Sequence, residues 1–262
     1  GASVEVNDVT LFDEGGIAAT IAANPSLASL LRVPEGRTVA IAQRVSASWD
    51  RRDDSFAATR GTLLTSSIEH VTALPLDDAT TGQADIMSEF IRFKARSAGY
   101  IRLADNGLAL ALSLAGGYNL QLRSDSQTYP DRLFFLGGVN SVRGFLLDSL
   151  VPDDLAQEVL DGKIDIDSVG VRGGNVFINP RLELRVPVTE VFQLGLFTDA
   201  GNVWRSEDAI GSFQDFFAWR YTAGAGARIA TPIGPIALDY GINLIRREWE
   251  DFGALHFSIG LF

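Results

Sequence analysis

Arg143 lies in Leu136-Gly137-Gly138-Val139-Asn140-Ser141-Val142-Arg143-Gly144-Phe145, a glycine-bracketed stretch inside the longest connection of the chain. The chemistry open to such a residue is recognition. A guanidinium presents a planar fork that binds carboxylates bidentately, and in an enclosed space it needs such partners. Glu183 and Asp199, on the two segments that follow, are the candidates. On spacing alone the same acids could instead serve Arg181, Arg185 or Arg228. The glycines would then only permit a tight turn, with the tip free outside.

Covalent chemistry finds no comparable constellation. There are no cysteines, and His70 and His256 are the only histidines. No Ser/His/Asp spacing, metal-ligand cluster or Gly-x-Ser-x-Gly elbow accompanies them, so no enzyme activity, metal or cofactor is expected. His256 reads as a polar residue on an inner face. A net charge of -11 argues against a nucleic-acid partner, whose phosphates require a basic surface.

The elements that must position these residues show a period of two. From Leu108 to Leu114 four leucines share one face, with Ala109, Ala111 and Ser113 on the other. Val176, Ile178, Pro180, Leu182, Leu184 and Val186 oppose Asn179, Arg181, Glu183 and Arg185. Phe192, Leu194 and Leu196 oppose Gln193, Gly195 and Asp199, and Tyr221, Ala223 and Ala225 oppose Thr222, Gly224 and Gly226. Leu238, Tyr240 and Ile242 oppose Asp239, Gly241 and Asn243, and Leu255, Phe257, Ile259 and Leu261 oppose His256, Ser258 and Gly260. Upstream, Val39, Ile41, Val45, Ala47 and Trp49 alternate with small or polar residues, as do Ile91, Phe93 and Ala95 with Arg92, Lys94 and Arg96. Residues 61–74 fit less well. With a first strand over 3–12, about ten strands are expected.

Their connections alternate in length. Long ones fall at about 13–37, 75–84, 123–175, 205–216 and 246–253, and short ones at about 53–60, 104–107, 188–191 and 232–234. Residues 16–31 look locally helical within the first long connection. No stretch reaches about 18 consecutive apolar residues, so no spanning helix is expected, and the N-terminus has no charged region leading into an apolar one. Greasy faces against charge-and-glycine faces, with long loops at one rim and short turns at the other, predict a transmembrane β-barrel with its short turns in the periplasm. A soluble sandwich is the alternative, and it would pack the leucine rows on one another.

Five ordered stretches resemble the BamA/TamA superfamily of outer-membrane assembly factors: Trp49-Asp50-Arg51-Arg52 to Arg60-Gly61, Val142-Arg143-Gly144-Phe145, Asp199-Ala200-Gly201-Asn202-Val203-Trp204, Thr231-Pro232-Ile233-Gly234-Pro235-Ile236 and Leu255-His256-Phe257-Ser258-Ile259-Gly260. The resemblance implies that the Arg143-Gly144-Phe145 tip folds back into the barrel and that Arg143 pairs there with Glu183 and Asp199. It also implies sixteen strands and periplasmic POTRA modules, whereas this chain has room for about ten strands and no such module. Residues 1–262 would thus be the C-terminal part of the barrel.

The function so implied is a non-enzymatic insertase or translocase. A weak seam between first and last strands would open and template a client strand. Leu255, Phe257, Ile259, Gly260 and Phe262 would form one edge of that seam, its partner strand lying outside this sequence. Expected partners are unfolded outer-membrane client proteins, the lipid bilayer and periplasmic or lipoprotein accessory subunits. The alternative is a passive outer-membrane diffusion porin with Arg92, Lys94 and Arg96 lining its lumen.

Overall fold

The computed structural model describes residues 1–9, 36–75, 88–124, 126–166, 173–231 and 234–259. Ten strands make one sheet: β1 (Ala2–Val9), β2 (Gly36–Asp50), β3 (Gly61–Pro75), β4 (Ser88–Arg102), β5 (Ala109–Gln121), β6 (Val176–Pro187), β7 (Phe192–Trp204), β8 (Arg220–Ile229), β9 (Ile236–Asn243) and β10 (Gly253–Ile259). Their order in space is their order in sequence. Every ladder is antiparallel, and among the described residues β1 and β10 are the two edges. No helix among these residues is long and apolar enough to cross a membrane.

The alternation decides what the sheet faces. Leu196, Leu238 and Phe257 are 53%, 48% and 65% exposed, while their inward neighbours Asp199 and Asp239 are 0% and 1%. The leucine rows therefore do not pack on one another. They form an apolar outer surface around a polar inner one, as a barrel wall in lipid requires and a soluble sandwich forbids. Introducing arginine at mid-strand Leu196 should cost about 2–4 kcal/mol near the bilayer midplane. The heat-modifiable gel shift of the Leu196→Arg protein should fall in temperature, and an unchanged shift would contradict the lipid-facing assignment.

Two sequence expectations need adjustment and three lie outside the described residues. Residues 61–74 belong to a full strand, β3, whose pattern is blurred because Ser66, His70 and Thr72 face outward while Val71 faces inward. The 123–175 connection contains a helix that periodicity in strands did not suggest, α1 (Asp153–Leu160), whose first turn carries Asp153 and Asp154 near the positive end of its dipole. A second, one-turn helix, α2 (Phe213–Phe216), follows β7. The helical reading of 16–31 lies outside the described residues, as do the end of the first expected strand beyond Val9 and the end of the last at Gly260, Leu261 and Phe262.

The turn between β2 and β3 is ordered by two side chains, Asp54, which accepts from the amides of Phe56 and Ala57 at 2.7 Å each, and Asp53. Asp53 accepts from the amides of Thr59 and Arg60 at 2.9 and 3.0 Å and from the Thr59 hydroxyl at 2.6 Å. Burial acts to raise its pKa, but the Thr59 and Arg60 donors outweigh it and hold the carboxyl well below the usual range. Because the folded value is the lower one, the contribution is complete above the ordinary aspartate pKa of about 3.9 and disappears as pH falls through the lowered value. Amide exchange at Thr59 and Arg60, corrected for intrinsic rate, should stay slow down to pH 4 and quicken only well below it.

Candidate functional site

The long connection between β5 and β6 turns back over the inner face of the sheet. Gly137 and Gly138 take positive φ of 115° and 94°, which lets the chain reverse. The Gly138 amide donates to the Phe145 carbonyl at 2.9 Å, and the Leu150 amide to the Leu136 carbonyl at 3.0 Å, closing a compact hairpin. Its apolar residues Leu136, Val142, Phe145 and Leu150 cluster with Phe134, Phe177 and Val203. Burying Val142 and Phe145 contributes about 1.5–3 kcal/mol each.

Between those two anchors, Arg143 is 2% exposed and meets three carboxylates. Its Nε donates to Asp199 Oδ2 at 2.7 Å and its Nη2 to Asp199 Oδ1 at 2.9 Å, a bidentate pair, and its backbone amide reaches Asp199 Oδ2 at 3.1 Å. Its Nη1 donates to Glu183 Oε2 at 2.6 Å and to Asp239 Oδ2 at 3.2 Å. The guanidinium carbon stands 3.5 Å from the centre of the Phe197 ring, close enough for cation–π attraction. Gly144 leaves room for this approach, since a Cβ there would lie 2.3 Å from Asn243 Oδ1 and 2.4 Å from Thr222 Cγ2.

The acids also serve the strand arginines that the spacing had allowed as their partners. Arg185 Nε donates to Glu183 Oε1 at 2.9 Å, Arg228 Nη2 to Glu183 Oε2 at 2.7 Å, and Arg181 Nε to Asp199 Oδ1 at 3.3 Å. The two alternatives coexist in one network of four cations, Arg143, Arg181, Arg185 and Arg228, and three anions. Such a network tolerates burial because each charge has a partner. Arg143, Gly144, Phe145, Glu183 and Asp199 thus come together, while Leu255, Phe257 and Ile259 stand apart on the outer face of β10.

Sequence reasoning left out two members. Asp239 lies inward on β9, a position the alternation did reveal, but nothing local tied it to Arg143 ninety-six residues earlier. His256, inward on β10, has Nε2 at 3.1 Å from the Arg143 carbonyl oxygen. Asp199→Asn is expected to loosen the tip more than Asp239→Asn, because Asp199 takes three short contacts from Arg143 and Asp239 one longer one. Limited proteolysis of the loop would rank the two, and equal sensitivity would contradict this ordering.

The rest of the loop is fastened at the rim. Arg205, just past β7, holds Asp154 at 2.7 Å and Glu158 at 2.5 Å, and Arg247, past β9, holds Asp153 at 2.6 Å. Both carboxylates of the first turn of α1 are thereby tied to strand ends.

This architecture and site can be set beside known proteins. The family model described as the Omp85 superfamily domain matches residues 17–262. The chain belongs to the Omp85 superfamily. Two curated Omp85 relatives carry the name outer membrane protein assembly factor BamA. That of Neisseria meningitidis serogroup B (strain ATCC BAA-335 / MC58) is 25% identical over 177 residues, 57% of this chain and 20% of the relative. That of Neorickettsia risticii (strain Illinois) is 23% identical over 175 residues, 65% of this chain and 22% of the relative. This Omp85 chain therefore spans about a fifth of the length of those relatives. The crystal structure of BamA from Haemophilus ducreyi lacking POTRA domains 1-3 superposes with a TM-score of 0.56 at 20% identity, over 84% of this chain and 41% of that one, a likeness of fold.

Proposed function

We propose that this chain is the C-terminal barrel portion of a bacterial outer-membrane assembly factor, which inserts or passes unfolded outer-membrane client proteins without covalent chemistry. The carrying observation is the Arg143 tip buried against Glu183, Asp199 and Asp239, a lumen-side anchor that holds a long loop across the inner face. Membership of the Omp85 superfamily and the names of the BamA relatives support the assembly role and the outer-membrane location. The bilayer contacts the leucine face, and periplasmic or lipoprotein subunits assist the complete protein.

In this reading β10 is one side of the seam. Its other edge is held by β9, in register from Gly253 opposite Ile242 to Ile259 opposite Ile236. A barrel strand whose closing partner is weakly paired can accept a client strand by β-augmentation. A photocrosslinking residue at Leu255 should capture the last strand of a client stalled during assembly in the intact protein. Absence of that adduct under conditions where the client assembles would sink the seam. Steady ion conductance in planar bilayers with the tip in place would favour a diffusion pore.

A further inference from the structure

A second polar region of the inner face, on the other half of the sheet, is not used by the Arg143 network. The register of β2, β3 and β4 stacks three rows there. Arg44, Glu69 and Arg92 form one, Ser46, Ser67 and Lys94 the next, and Ser48, Thr65 and Arg96 the third. Between these strands and the returning segment 133–137 lies a cavity of about 920 Å³.

The charges in this region do not balance. Glu69 takes both of its short contacts from Arg44, at 3.0 Å each, with Arg92 at 3.8 Å and Arg132 at 3.9 Å. Arg132 is already paired with Glu5 at 2.6 Å and lies 3.6 Å from Asp131. Five cations, Arg44, Arg92, Arg132, Lys94 and Arg96, thus face four carboxylates, Glu5, Glu69, Asp131 and Asp148, and among the described residues Lys94 and Arg96 have neither ion pair nor hydrogen bond. Moreover, Arg92 Nε is a buried donor with no hydrogen-bond partner among these residues, and buried donors favour an acceptor. Hydroxyls of Ser46, Ser67, Ser48 and Thr65 stand beside the two spare cations as further donors.

We propose that the cavity walled by β2, β3 and β4 binds a water-borne, multiply charged anion of the phosphate type, held by Arg92, Lys94 and Arg96. Successive inward positions on one strand set three cations along a line, and neighbouring hydroxyls complete the shell of an oxyanion. A phosphate-type anion uses both the positive excess and the free arginine donor, whereas a neutral ligand would leave the charges unbalanced. The inner face is turned away from lipid, so the anion arrives through water.

Pyrophosphate is the probe. Titrated calorimetrically into the complete protein in detergent micelles at low ionic strength, it should bind at one saturable site and weaken as salt is raised. Lys94→Gln combined with Arg96→Gln should lower the affinity at least about tenfold, since two of three cations are lost. Glu69→Gln should raise affinity by removing a nearby negative charge, a gain that a misfolded variant could not give. Absence of saturable binding up to millimolar pyrophosphate, or equal affinity in the wild type and the double variant, would overturn the site. Displacement of pyrophosphate by micelles doped with an anionic phospholipid would overturn its water-borne character and assign it to a headgroup.

Discussion

Arg143→Ala is expected to free the loop tip and to abolish most client assembly while leaving strand content intact. The guanidinium is the common partner of Glu183, Asp199 and Asp239, and its removal takes the bidentate pair from Asp199 and leaves three cations for three buried anions. Breaking a buried pair in this way costs about 3–5 kcal/mol. Arg181, Arg185 and Arg228 still cover part of the negative charge, so about 3 kcal/mol is the better figure for this site. That is comparable with the anchoring that Val142 and Phe145 provide together, about 3–6 kcal/mol. The tip should therefore exchange between seated and released forms rather than leave permanently. Protease cleavage within 137–150, with an undisturbed heat-modifiable shift, reads the first consequence, and insertion of a urea-denatured client barrel into liposomes reads the second. Arg143→Lys should rescue little, because an ammonium cannot bridge Asp199 bidentately while also reaching Glu183. Normal assembly by Arg143→Ala would refute the assigned role.

Gly241→Ala is expected to unseat the same tip with every charge in place. An alanine Cβ at this position of β9 would lie 2.2 Å from the Arg143 carbonyl oxygen and 2.9 Å from the Gly144 nitrogen. Both are backbone atoms, so no rotamer change relieves the clash, and either the tip or the strand must move. Overpacking of this kind costs about 1–3 kcal/mol, and the hydrogen bond from His256 to that carbonyl is lost as well. Gly99→Ala on β4, where a Cβ would meet nothing within 4 Å, is the matched control and should be neutral. If Gly241→Ala leaves the loop as protected as the wild type, steric fit at the tip is not what positions it. If it fails as Arg143→Ala does, the position of the loop, and not the charge alone, is what assembly requires.

The all-β architecture was legible because lipid and lumen impose opposite demands on successive residues. Leu182, Leu184, Leu194 and Leu196 could only belong to one surface and Glu183, Arg185 and Asp199 to the other. β3 was harder to read because its outward row mixes Leu64 and Ile68 with Ser66, His70 and Thr72. Arg143, Glu183 and Asp199 were suggested by family resemblance and by the need of a guanidinium for carboxylates, but residue spacing alone left their pairing undecided. Asp239 and His256 were visible as inward residues without any sign of what they touch, since contacts between segments 96 and 113 residues apart leave no local pattern. Helix α1 escaped notice because its eight residues bury only Leu155 and Ala156, too short a face to register as periodicity.

Because each strand pairs only with its chain neighbours, the wall can be laid down one hairpin at a time. The receptacle for Arg143 behaves otherwise, for it draws on residues 40, 56 and 96 positions downstream. It is incomplete until the ninth strand is in place, so engagement of the guanidinium reports that this stretch of the wall has been finished.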